Sequence, residues 1–171
     1  LRKKVCLITG VGPGTGSALV HRFSQDYQVA MLARSQDRLS NLEDQLEGVK
    51  GYPCDVSDRA ALERTLDSVK DELGSPSILV HNAVGGAFGN FLDIDPSVLE
   101  NNFQVNTMAL LYLARSLAPD MVAKGEGAII ITGNTSAYRG MPGFAGFAPT
   151  KAAQRVLAES MARDLGPKGV H

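Results

Sequence analysis

The chain has 171 residues, 44% of them apolar and 20% charged, and a formal charge of −1. This is ordinary globular composition for one domain whose core can hold a ligand crevice. Near-neutrality argues against a nucleic-acid partner, and two cysteines are too few for a disulfide framework.

The basic lead-in from Leu1 to Lys4 runs directly into an apolar stretch too short for a signal peptide or a membrane span, so a cytoplasmic protein is expected. Cys6 lies in that stretch and Cys54 ends another. Both read as buried thiols in a reduced compartment, and no local histidines join them into a metal site.

In chain order, Val5 to Thr9 is a first strand closed by glycine, and Ala18, Leu19 and Phe23 mark the helix after it. Val29 to Ala33 is the second strand, followed by a helix with the stripe Leu39, Leu42 and Leu46. Val49 to Cys54 is the third. Leu62, Leu66, Val69 and Leu73 then repeat at helical spacing, with Ser57 and Asp58 as the cap. Ile78 to His81 is the fourth strand. Pro96 to about Lys124 reads as helical with room for a break, burying Val105, Met108, Leu111, Tyr112 and Leu117. Ala128 to Thr132 is the fifth strand, and a last helix runs from Thr150 to about Leu165 before Gly166 and Pro167. Continuous apolar strands alternating with helices predict a single α/β domain, a doubly wound parallel sheet in three layers with strand order 3-2-1-4-5.

The first strand ends in Thr9-Gly10-Val-Gly12-Pro13-Gly14-Thr15-Gly16, and a helix follows. A side chain at Gly10 would obstruct the tight turn, glycine at 14 lets a pyrophosphate approach the backbone, and Gly16 permits close packing of helix on strand. Free N–H groups at the helix start would then face the phosphates, with Gly12, Pro13 and Thr15 in the same loop. The spacing Thr-Gly-x-x-x-Gly-x-Gly is not the common dinucleotide fingerprint. It resembles the short-chain dehydrogenase/reductase family, and the resemblance covers essentially the whole chain.

That resemblance implies a nicotinamide dinucleotide and assigns roles along the sequence. Ala33 stands where relatives that prefer NAD carry aspartate, and Arg34 follows, able to pair with a 2′-phosphate. NADP is therefore the favoured cofactor, with NAD left open. Asp55 and Val56 resemble the adenine-binding Asp-Val pair, with capping of the helix near Ser57 as the lesser alternative for Asp55. His81-Asn82-Ala83-Val84 resembles the family's Asn-Asn-Ala-Gly segment. Asn82 would support sheet and ribose, Val84 replaces a glycine and could crowd the cofactor, and His81 reads as a structural hydrogen-bonder.

The family works with Asn, Ser, Tyr and Lys. Asn106 fits the asparagine, which carries a proton relay through water. Lys151 fits the lysine, which lowers the tyrosine pKa and holds the nicotinamide ribose. Phe147 stands in the tyrosine position, and Asn134 stands thirteen residues before it, in the serine position. Four readings stay open: a reductase of altered mechanism with Tyr138, Ser136 or water as acid; a cofactor binder without hydride transfer; a different reaction using the bound cofactor or the emptied pocket; and a purely structural role without cofactor. The substrate of an active form would be a small carbonyl or alcohol.

Two further expectations come from the resemblance. The helices at 96–124 and 150–165 resemble a pair that builds homodimers or homotetramers, with Leu113, Ala152, Val156 and Ala158 facing outward. The chain also stops at Gly169-Val-His171 where a next strand should begin, so the last strands and a substrate lid are expected to be missing.

Overall fold

A computed structural model describes residues 3–171; Leu1 and Arg2, which open the basic lead-in, lie outside the described residues. Five parallel strands, β1 (Val5–Thr9), β2 (Gln28–Ala33), β3 (Val49–Pro53), β4 (Ile78–His81) and β5 (Ala128–Ile131), pair in the order β3-β2-β1-β4-β5. The helices between them are α1 (Thr15–Phe23), α2 (Gln36–Gln45), α3 (Arg59–Leu73), α4 (Pro96–Phe103), α5 (Ala109–Lys124) and α6 (Ala148–Leu165).

Alternation along the central strands explains why both faces are covered. In β1, Val5 and Leu7 enter one apolar cluster while Cys6 and Ile8 enter the other. β2 does the same, with Ala30 and Leu32 on the first face and Val29, Met31 and Ala33 on the second. The first face is closed by Leu62, Leu66, Val69 and Leu73 of α3 and by Leu113, Leu117 and Met121 of α5. Val20 of α1 with Leu39 and Leu42 of α2 closes the second. Each such leucine or valine, fully buried, contributes about 1.5–3 kcal/mol. Both cysteines are free and buried.

Some boundaries differ from the sequence reading, and the break for which the long fourth helix left room is there. Asp58, not Ser57, caps α3, its carboxylate accepting from the Ala61 N–H. The long fourth helix is interrupted by a π-helical turn at Gln104–Met108. A widened turn of this kind shifts the side-chain register, a feature common at functional sites. α6 begins at Ala148, ahead of Pro149, because proline in the first turn has no N–H to lose.

The outward placement of Leu113 is corrected: it is fully buried against the sheet. Ala109, Leu110, Leu113, Ala114 and Leu117 give α5 a broad apolar face, so an apolar residue on it is no sign of exposure. Val156 on α6 is exposed, and Ala152 and Ala158 are half-buried. Beyond β5, the Ile129 N–H donates to His171 O and the His171 N–H donates to Gly127 O, and Gly127 and Val170 form a parallel bridge. Val170 and His171 thus lie alongside the start of β5.

Two glycines of the turn after β1 predict opposite outcomes. A Cβ at Gly16 would lie 2.4 Å from Gly10 O and 2.7 Å from Val11 Cα, both backbone, whereas one at Gly12 would meet nothing within 4 Å. Gly16→Ala should lose at least about 2 kcal/mol in urea unfolding, and Gly12→Ala should stay within about 0.5 kcal/mol of the parent.

Candidate functional site

The sheet order reverses between β1 and β4, and a cleft of about 1090 Å³ opens where their C-terminal ends part. The turn from Gly10 to Gly16 forms one wall, and Asn82 to Ala87 forms another. Gly10 has φ +69°, and a Cβ there would fall 2.4 Å from Ala83 Cα. The Asn82 Nδ2 donates to Gly10 O at 2.9 Å, which locks the two loops together. Gly12 and Gly14, by contrast, have open space above them, and Gly14 precedes the first turn of α1 with no side-chain cap. Bare backbone at a helix start with free N–H groups is a cradle for an anion such as a pyrophosphate.

At one end of the cleft stand Ala33, Arg34, Asp55 and Val56. Ser35 caps α2 by accepting from the Arg38 N–H, and this turn brings Arg38 to the same wall as Arg34. Asp55 accepts from both the N–H and the hydroxyl of Ser57. Those bonds, the hydroxyl's above all, hold its carboxyl below the ordinary range, with a smaller contribution from Arg34.

At the other end are Phe147, Lys151, Asn134 and Thr132. Phe147 is buried, its ring 5.1 Å from that of Phe88, and it offers no ionisable group. Asn134 Oδ1 accepts from the Ser136 N–H, leaving the amide NH2 as a donor on the wall. Lys151 is 3% exposed, and its ammonium donates to Thr132 O at 2.8 Å and to Gln154 Oε1. Burial pulls its pKa down to about 8.

Behind the wall, His81 is wholly buried. Its Nε2 donates to Val105 O, its Nδ1 accepts from the Thr9 hydroxyl, and Thr9 Oγ1 in turn accepts from the Ala83 N–H. Burial, aided by the charge of Lys151, pushes His81 down to about 4, so it is a neutral tie between strands.

Most of the residues singled out from the sequence converge here: Gly10, Gly12, Gly14, Thr15, Gly16, Arg34, Asp55, Val56, Asn82, Ala83, Val84, Asn134, Phe147 and Lys151 all line the cleft. Val84 is 56% exposed, so its isopropyl group takes up room on the wall. Pro13 is exposed and off the wall. Asn106 is fully buried and also off it. Its amide donates to Gly85 O and Thr150 Oγ1 and accepts from the Gly85 N–H, clipping the Gly85 loop to α6. Tyr138 is 77% exposed, its ring under the Arg155 guanidinium at 4.8 Å, on the wall of a separate cavity. Arg38 and Gln154 are among the residues that the sequence did not single out. A basic residue one turn after Arg34 was the available signal for the first; nothing local announced the second.

Residues 4–171 match the family profile described as short chain dehydrogenase. Mouse epidermal retinol dehydrogenase 2 is 32% identical over 164 residues, covering 92% of this chain and 53% of the relative. Pig carbonyl reductase [NADPH] 2 is 30% identical over 163 residues, covering 94% and 65%. A metagenomic short-chain oxidoreductase solved in complex with NADP superposes with a TM-score of 0.94 at 26% identity, covering all of this chain and 80% of that one. The chain therefore spans roughly half to two-thirds of the curated relatives' length.

The buried ammonium has a measurable consequence. An unfolded lysine keeps its proton to about 10.5 while Lys151 releases it near 8, so between those values the unfolded chain holds more protons and stability rises with pH. Below pH 8 both states are charged and the burial cost is fully present. The stability of the parent relative to Lys151→Met should accordingly climb from pH 8 to 10.5 in denaturant titrations; a flat difference would contradict the buried charge.

Proposed function

Because the chain belongs to the short-chain dehydrogenase family, we propose that its cleft binds NADP(H) and that the protein is an oxidoreductase of small carbonyl or alcohol substrates, with its own proton step weakened. The observation that carries the cofactor choice is the end of β2. Ala33 stands there without a carboxylate, and Arg34 and Arg38 share the wall beside it. A carboxylate would accept from a ribose 2′-hydroxyl and repel a 2′-phosphate; guanidinium groups favour the phosphate and can pair with it in two-pronged fashion. One relative is named for NADPH and one neighbour was solved with NADP, while a xylitol dehydrogenase of the same fold was solved with NAD+, so the cofactor choice rests on Ala33 and the two arginines.

The residues present fit such a group. The bare backbone at Gly12 and Gly14 leaves room for the pyrophosphate, Val56 offers an apolar edge for the adenine, and Lys151 offers an N–H to ribose hydroxyls. When bound, the nicotinamide supplies or accepts a hydride. The chain's own part is weaker than the family pattern. Asn134 can polarise a carbonyl oxygen through its NH2 but has no proton to release, and Phe147 has none at all. Lys151 remains four residues on, one helical turn from Phe147, on the same wall. A second reading, a cofactor-binding protein that no longer transfers hydride, is favoured by one observation: Phe147 is packed on Phe88 as an apolar contact.

Two measurements test this. In direct binding titrations NADP should bind more tightly than NAD, and Arg34→Ala should lose about 10- to 100-fold toward NADP, the worth of a charge-assisted bond, while leaving NAD nearly unchanged. Equal affinities in the parent would overturn the assignment. In steady-state NADPH oxidation with small ketones and aldehydes, the parent should be slow and Phe147→Tyr should raise kcat/KM by about 10²- to 10⁴-fold, with a further, non-additive gain from Asn134→Ser. A fast parent, or no gain in either variant, would count against the missing phenol as the weak point.

A further inference from the structure

Lys151 is a nearly buried cation without a carboxylate partner among the described residues. The one carboxylate on the cleft wall, Asp55, belongs to the opposite end and is engaged with Ser57. Its surroundings are instead a closed polar chain. The ammonium donates to Thr132 O, from the end of β5, and to Gln154 Oε1, one turn further along α6. Gln154 is 2% exposed, and its Nε2 donates at 2.7 Å to Asn106 O, in the π-helical turn. The amide orientation follows from chemistry: flipped, it would set NH2 against an ammonium and oxygen against a carbonyl. Of the three ammonium hydrogens, two are thereby committed, and one is left for the cleft that Lys151 lines.

We infer that Gln154 is a positioning residue: its amide bridges the Lys151 ammonium to the Asn106 carbonyl and so fixes where the remaining N–H of Lys151 is offered. A carboxamide holds hydrogen bonds at both ends without taking up a proton at neutral pH. The bridge therefore keeps the charge in place and gives Lys151 no titratable neighbour behind the wall, where His81 is neutral. Proton exchange of Lys151 is left to the cleft side. That a dinucleotide receives the free N–H rests on the functional reading above; the bridge itself does not.

The test is NMR of the chain labelled with ¹³C at the lysine ε-carbons, the Lys151 signal assigned by its loss in Lys151→Met, titrated without cofactor. Gln154→Glu places a carboxylate on the ammonium and should move the Lys151 titration up by more than one unit. Gln154→Leu removes the acceptor at similar volume and should move it down. NADPH affinity should fall about tenfold in Gln154→Leu, from loss of one fixed charge-assisted donor. Should either variant fail to fold, the parent decides: the Gln154 side-chain NH2 should exchange slowly with solvent and shift with the Lys151 titration. Unmoved titrations in both variants, a rapidly exchanging NH2, or unchanged NADPH affinity in Gln154→Leu would each overturn the proposal. A parent that binds no NADPH yet shows both titration shifts would support the bridge and overturn the cofactor reading.

Discussion

The close approach of Gly10 to Ala83 governs the rest of the structure. β1 and β4 are neighbours in the sheet, and the chains leaving them part at once, one toward α1 and one toward α4. Gly10 can sit against the Ala83 backbone only because it has no Cβ and tolerates a positive φ. The Asn82 amide then bonds the Gly10 carbonyl and makes that contact specific. From this junction come the floor of the cleft, the bare turn at Gly12 and Gly14, and the entry of α1.

The two ends of the cleft are built on different principles. At the β2 end the polar groups are exposed or half-buried and held by local caps, Ser35 on Arg38 and Asp55 on Ser57. Such groups can adjust to a charged ligand. At the α6 end most of the polar groups are buried and bonded to one another, with one Lys151 N–H and the NH2 of the exposed Asn134 left toward the cleft. Asn106 is spent on Gly85 and Thr150, Gln154 on Lys151 and Asn106, His81 on Thr9 and Val105. Buried networks that are fully paired are rigid. Phe147 lies in front of this network and joins the aromatic contacts with Phe88 rather than the hydrogen bonds. The residues proposed for cofactor recognition thus share the cleft, while the tyrosine position of the family pattern holds Phe147.

The fold was legible because its signals are local and repeated. Continuous apolar strands divide by alternation into two buried faces, and the α3 stripe predicted its own burial. Gly10 and Gly16 were readable because a strand-to-helix turn leaves them no room. Leu113 was misplaced because α5 is apolar over so wide a face that no single position marks the core side. In the site, most residues carried by motif order line the cleft, Asn106 and Pro13 excepted. What the sequence could not show was how buried side chains pair across elements. The Asn106 amide bonds Gly85 and Thr150, Tyr138 stacks on Arg155 away from the cleft, and Gln154 meets Asn106 from 48 residues away.

In the proposed function, one cleft, floored by the Gly10–Ala83 contact, takes the phosphates of a dinucleotide at its bare glycine turn and a 2′-phosphate beside Arg34. A crystal structure of the protein grown with NADP tests it most directly. Pyrophosphate density is expected over Gly12 to Gly16, and a 2′-phosphate within hydrogen-bond reach of Arg34 or Arg38. NADP bound elsewhere, or with its 2′-phosphate away from both arginines, would contradict it.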